Sequence, residues 1–168
     1  MKKTILALAV FAIAAVVPAA QDKNASAIAE IDVLLTGWHN AAATADTKTY
    51  FGSMAPGAVF LGTDVTERWT KDEFEAWAAP RFRGTSAWVY SANRRSISLS
   101  ADGNTAWFDE DLVSKSYWPC RGSGALEKID GAWKIRLYNL GFTIPNQVVP
   151  EIRPAVMKAF ADPGKDLP

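Results

Sequence analysis

From Ala25 to Ala43 apolar residues return every three or four positions, at Ile28, Ile31, Leu35, Trp38 and Ala42. That spacing places them on one stripe of an α-helix. His39 projects into the same stripe, between Leu35 and Trp38. Asp46 is placed to cap a short second helix through Tyr50, Phe51 and Met54, closed by Pro56-Gly57. Ala58 to Leu61 follows as a short apolar strand ending in Gly62-Thr63-Asp64. Thr70 and Glu73 have the T-x-x-E spacing of a capping box, so a third helix begins there, with Phe74, Trp77 and Ala78 as its buried face and Pro80 near its end.

Beyond that point the pattern changes to alternation. Asp102-Gly103 and Asp130-Gly131 each separate two alternating segments, which predicts type I′ hairpin turns. The first turn joins a strand over 86–100 to one over 105–118, and the second joins 121–129 to 132–140. In the 86–100 strand the large residues are even-numbered at first, Trp88 and Tyr90, and odd-numbered later, Ile97 and Leu99. A parity switch near Arg94-Arg95 predicts a β-bulge and a bend in the sheet. After Pro145-Asn146, Ile152, Val156 and Phe160 suggest a short amphipathic helix ended by Pro163-Gly164.

Helix, helix, strand, helix and then a run of long strands is an α+β plan, with helices covering one face of a curved antiparallel sheet. A long bent sheet wrapped around N-terminal helices encloses a cone. The first residues stand outside this plan. Lys2-Lys3, the uncharged run Ile5 to Val17 and then Pro18-Ala19-Ala20 match a secretory signal. The run is too short for a membrane span. The expected organisation is a signal over 1–19, a cone domain over 20–146 and a C-terminal extension over 147–168. Cleavage near Ala19 or Ala20 would make the mature protein exported, periplasmic or secreted.

Composition narrows the partners. Among 168 residues, 18 Lys and Arg balance 18 Asp and Glu, and there are one His and one Cys. Loss of Lys2 and Lys3 leaves 16 positive and 18 negative residues, a net charge of about −2, which gives no footprint for nucleic acid. One His and one Cys do not make the usual zinc site, and no intrachain disulfide is possible. No metal or cofactor is expected. Seven Trp and the apolar content suit either a packed core or a pocket for a planar ligand.

Five segments, Trp38-His39-Asn40-Ala41-Ala42, Ala45-Asp46 with Tyr50-Phe51, Ala58 to Asp64 with Glu67-Arg68-Trp69, Ala106 to Glu110, and Gly131 to Ile135, carry a resemblance to the SnoaL-like branch of the nuclear transport factor 2-like superfamily. It covers about residues 25–146. The resemblance implies a cone-shaped, cystatin-like α+β roll and, often, dimers formed through the sheet. It implies no single activity, because this fold hosts enzymes, binding domains and assembly domains alike. Ketosteroid isomerase and scytalone dehydratase are more distant relatives, and their catalytic motifs have no residue-by-residue match here.

Parity then nominates the interior. In the 105–118 strand the even face holds Ala106, Phe108, Glu110 and Leu112, so Glu110 lies in an apolar face, where burial tends to raise a carboxyl pKa unless the group is paired. In the 132–140 strand Trp133, Ile135 and Leu137 are odd, which makes Asn139 the next inward position. His39 and Glu110 are therefore the candidate acid–base pair, with Asp64, Arg121 and Asn139 as possible ligand contacts. Equally, Glu110 paired with His39 or Arg121 is a buried polar cluster with a structural role. Trp38, Phe60, Trp88, Tyr90, Phe108 and Trp133 are the candidate aromatic lining, and Trp77 is assigned to helix packing. Asp64, Glu67 and Arg68 either gate a ligand or order a turn. Cys120 reads better as a small buried thiol than as a reactive one, and Arg94-Arg95 as a solvated pair. The leading expectation is an exported domain that binds a small apolar or aromatic molecule. The alternatives are a cofactor-free isomerase, lyase or hydrolase using Glu110 and His39, and a homodimeric assembly domain whose sheet face presents Trp107, Val113 and Tyr117.

Overall fold

The computed structural model describes residues 17–161; most of the predicted signal and the Pro163-Gly164 stop lie outside them. Helix α1 (Val17–Ala43) is followed by α2 (Thr47–Gly52), β1 (Met54–Leu61), β2 (Arg68–Thr70) and α3 (Lys71–Ala78). Strands β3 (Ser91–Leu99), β4 (Thr105–Val113), β5 (Cys120–Ile129) and β6 (Ala132–Phe142) then lead to α4 (Val149–Phe160). The six strands form one curved, unclosed sheet in the order β2-β1-β6-β5-β4-β3, antiparallel except where β1 meets β6.

Ile31, Leu35, Trp38 and Ala42 of α1 are buried against the concave face of that sheet. The anticipated local signals hold at two helix starts. Asp46 accepts from the Thr49 amide at 3.0 Å, and Thr70 and Glu73 close a reciprocal capping box. At Asp130-Gly131 both residues have positive φ, 49° and 82°, as a type I′ turn requires.

Other local readings are corrected. Pro56-Gly57 does not close α2 but lies inside β1, where the pairing to β6 breaks between Met54 and Val59. Gly57 takes φ +67° there, a conformation that glycine adopts at little cost. Asp102 is not in the left-handed region, and only Gly103 is, at +70°. The Gly103 amide donates to Ser100 O at 3.0 Å and the Ser100 amide to Thr105 O at 2.8 Å, so this hairpin has a four-residue loop rather than a two-residue turn. Strand β3 begins at Ser91, five residues later than the alternation suggested, and β2 has no alternating pattern long enough to announce it.

Two bulges decide which side chains enter the cone. The register of β3 on β4 shifts between Ala92 and Arg94, close to the anticipated parity switch. A second shift, between Ala125 and Leu126 of β5, leaves Arg136 as the extra residue of β6. Arg136 Nη1 donates to Pro56 O at 2.6 Å and Nη2 contacts Glu127, so one side chain ties together both irregular edges of β6. The extra residue moves the inward set from Trp133 and Ile135 to Tyr138. Asn139 therefore does not follow on the inner face as expected.

Helix α4 contains Ile152, Val156 and Phe160 as anticipated, but none of its residues is buried. No helix among the described residues is long and apolar enough to cross a membrane. Replacement of the capping residue, Thr70→Ala, is expected to lower stability by about 1 kcal/mol, read as a lower urea midpoint with an unchanged slope.

Candidate functional site

Glu110 is the fully buried charged side chain of β4, with 0% exposure. Its partners come from three elements. His39 Nε2 of α1 lies 2.8 Å from Oε1, and the Tyr138 hydroxyl of β6 donates to the same oxygen at 2.9 Å. Arg95 of β3 donates from Nε to Oε2 at 2.8 Å. Its Nη2 lies 2.7 Å from that oxygen, a charge contact outside hydrogen-bond alignment. Arg95 Nη1 reaches back to α1, to Asp32 Oδ1 at 2.6 Å, Asp32 O at 3.1 Å and Thr36 Oγ1 at 3.1 Å. Gly122 on the neighbouring strand leaves the space, since a Cβ there would collide with the Tyr138 hydroxyl and the Glu110 carboxylate.

The electrostatics follow from this enclosure. Burial acts to raise the Glu110 carboxyl, but the hydrogen bond and charge of His39 and the Arg95 guanidinium outweigh it and hold the carboxyl below its usual range. The upward tendency expected from an apolar face is thus reversed by pairing. Burial, reinforced by the negative charge of Glu110, pushes the Tyr138 phenol well up. Tyr138 consequently remains a neutral O–H donor to an ionised carboxylate.

The structure distributes the other candidates among distinct places. Trp38 is core, stacked on Tyr50 with ring centroids 4.6 Å apart, and Phe108 and Trp133 are also buried in the core. Arg121 is on the outer face, 3.4 Å from Asp111. Asn139 meets Ser123 at 3.5 Å. Asp64 organises a turn, accepting from the Thr66 amide and hydroxyl at 3.0 and 2.8 Å. The Cys120 thiol donates to Trp118 O, and burial pushes its pKa up, which does not favour a thiolate. Arg94 and Arg95 separate completely: Arg94 is exposed and 2.9 Å from Asp111, whereas the Arg95 side chain is 5% exposed.

Two clefts open on the domain, one of them against this cluster. One, of about 370 Å³, lies at the mouth of the cone and is lined by Phe60, Trp69, Phe74, Trp77, Trp88, Tyr90 and Tyr117. The other, of about 360 Å³, lies between α1 and the start of β3, where His39 and Arg95 are in its wall. Phe60, Trp88 and Tyr90 therefore meet in the aromatic cleft, while His39 belongs to the polar one; Tyr90 borders both. Periodicity gave no hint of Tyr138, because the Arg136 bulge is invisible to alternation. Arg95 was detectable: once the parity has switched, it shares the odd face of Ile97 and Leu99. Trp77 was assigned to packing, yet it is 38% exposed in the cleft wall, and Trp69 joins it there without having been nominated for the lining. Among the described residues no group of three His, Cys, Asp or Glu side chains is placed to hold a metal ion.

A family model described as a SnoaL-like domain matches residues 31–145, well over half of the chain. The chain belongs to the SnoaL-like family. No curated protein matches it. Solved structures share the fold of this SnoaL-like chain at low identity. A protein of unknown function from Mycobacterium tuberculosis is 15% identical with a TM-score of 0.64, over 76% of this chain and 78% of that one. An NTF2-like protein of unknown function from Pseudomonas putida KT2440 is 14% identical with a TM-score of 0.61, over 74% and 92%. A cystatin-like protein of unknown function from Nostoc punctiforme is 14% identical with a TM-score of 0.52, over 68% and 89%. These likenesses establish the nuclear transport factor 2-like, cystatin-like architecture and leave activity to the site.

Glu110→Gln removes the charge that compensates buried Arg95 and is expected to cost about 3–5 kcal/mol. The pH dependence has a definite sign. The folded carboxyl lies below its ordinary value of 4.5, so the unfolded chain takes up the proton at higher pH. This group's stabilisation is complete above that value and is lost as pH falls through the folded one. Urea midpoints measured across the acid range should fall more steeply for the native protein than for Glu110→Gln; parallel curves would contradict the assignment.

Proposed function

We propose that this SnoaL-like domain binds a small apolar or aromatic molecule in the cleft at the cone mouth. The observation that carries the reading is the aromatic wall of that cleft. Phe60 stacks on Phe74 at 3.9 Å, Trp69 on Trp77 at 4.8 Å, and Tyr90 on Tyr117 at 6.3 Å. Buried rings are ordinary core, but here Trp77 and Tyr117 remain 38% and 48% exposed. A planar guest would remove this apolar surface from water and find ring faces to stack on. Arg81 lies over Trp77, 3.7 Å from the ring centroid, and Glu67, Ser114 and Ser116 supply polar groups at the rim. The volume is within the usual range for small-molecule sites, about 300–1,000 Å³.

The acid–base alternative has less support at this cleft, since His39 and Glu110 are not in its wall and Glu110 is already saturated with donors. Turnover of a bound compound, abolished by His39→Ala with binding intact, would restore it.

A second reading, compatible with the first, is a homodimer through the outer sheet face. Trp107, the third residue of β4, is 53% exposed. It pairs across to Ala125, and Ala125 to Leu137, giving a continuous apolar row bordered by Asp109 and Asp111. Such a centre with a charged rim suits a protein interface. Tyr117, by contrast, turns to the cleft. Export after cleavage near Ala19 or Ala20 belongs to the same proposal.

Two measurements test these readings. Tryptophan fluorescence titrated with 8-anilinonaphthalene-1-sulfonate and with 1-naphthol should show saturable quenching, and Trp88→Leu should weaken it about tenfold; no response to either probe would overturn the binding reading. Native mass spectrometry of protein recovered from a periplasmic fraction should show a dimer of chains beginning at Ala20 or Gln21. Trp107→Lys should convert that dimer to monomer, and a native protein that is monomeric at tens of micromolar would defeat the dimer proposal.

A further inference from the structure

The cleft between α1 and β3 is a second cavity with a different chemistry. His39, 7% exposed, is in its wall. The imidazole is fixed from behind. Glu110 is an acceptor, so the nitrogen facing it, Nε2, carries a proton. Nδ1 is then the nitrogen left over, and among the described residues no protein group bonds it. A side chain more than nine-tenths buried thus presents an unpartnered polar atom to a cavity of about 360 Å³. The enclosed unpaired polar atoms among the described residues are Trp38 Nε1, Arg95 Nη2 and Trp133 Nε1, so His39 Nδ1 is open to the cavity, where a guest can reach it.

The surroundings define what kind of partner fits. Asp32 Oδ1 is taken by Arg95, while Oδ2 has no protein partner among the described residues. Asn40, Ser91 and Asn93 add amide and hydroxyl groups, and Tyr90 is the one aromatic ring of the wall besides the His39 imidazole. An anion is disfavoured by Asp32 and by the commitment of Arg94 to Asp109 and Asp111, at 3.6 and 2.9 Å. A cation is disfavoured by Arg94 and Arg95 in the same wall. A neutral hydroxyl matches every group present, because it donates to Nδ1 or a carboxylate oxygen and accepts from an amide. It also serves either protonation state of the imidazole, accepting from Nδ1–H when His39 is charged.

We propose that this cleft binds a small neutral polyhydroxylated compound of monosaccharide size, with Nδ1 of the largely buried His39 as its anchor. Glu110 is a positioning residue, holding the imidazole so that Nδ1 faces the cavity, and Arg95 holds Glu110 and Asp32 in place across the α1–β3 seam. The site is separate from the aromatic cleft and does not depend on its being occupied.

The chain's single His provides an unambiguous probe. The Cε1–H resonance of His39 should be followed in the full chain during titrations with glucose, galactose and myo-inositol. At least one should produce a saturable shift, with a dissociation constant on the order of 1 mM, as suits a small unoptimised polar ligand. Asn40→Trp and Ser91→Trp fill the cavity from opposite walls and keep the probe; each folded variant should abolish the shift, whereas Trp88→Leu in the aromatic cleft should leave it unchanged. Absence of a shift with all three compounds, or a shift that survives both filling variants, overturns the proposal. So does an equal displacement of the His39 resonance by 8-anilinonaphthalene-1-sulfonate, which would mean that the two clefts are one site.

Discussion

A carboxylate with no access to water must find inside the protein the hydrogen bonds it has given up. Glu110 meets that requirement with donors from α1, β3 and β6, each delivered by a different turn of the chain. The dependence is mutual, since the Tyr138 hydroxyl and two of the three guanidinium nitrogens of the buried Arg95 side chain are directed at this one group. Helix α1 is therefore attached to the sheet by its apolar stripe and by a directional cluster. The stripe tolerates sliding, whereas the cluster specifies one axial position for the helix. His39, Thr36 and Asp32 are spaced one turn apart on the same side of α1, so fixing one fixes the wall of the adjoining cleft.

The aromatic cleft follows different physics. Its rings are held by contact with one another and with the core, and their arrangement depends on how α3 lies across β1 and β2. Trp69, Phe74 and Trp77 come from successive short elements, β2 and α3, whose junction is fixed by the Thr70–Glu73 capping box. A local hydrogen-bond motif readable in the sequence thereby positions one wall of the aromatic cleft. Tyr90 stands between the two clefts, so the apolar and polar cavities share a partition while differing in almost every neighbouring group.

Much of the fold was legible because its causes are local. The α1 stripe, the caps at Asp46 and Thr70, the type I′ turn at Asp130-Gly131 and the inward position of Glu110 each depend on residues close together in the chain. The failures have a common cause. Asn139 was placed inward and Tyr138 was overlooked because one extra residue, Arg136, reverses the strand's faces without interrupting its alternation. Pro56-Gly57 resembles a helix stop locally, but β6 captures the chain there as an irregular strand. Arg121 was a plausible partner for Glu110 until pairing with Asp111 placed it on the opposite face.

By itself, the sequence determined the order of the main elements and the presence of an ionisable group in an apolar strand face, since these follow from periodicity, capping and composition, while the family was legible only through the resemblance of its motif segments. Only the tertiary structure decided that Glu110 remains ionised, that Arg95 rather than Arg121 compensates it, and that His39 faces a polar cleft instead of the aromatic one. The reason is physical. Burial, pairing and cavity shape are created where segments far apart in the chain meet, and two single-residue bulges determine which side chains are present when they do.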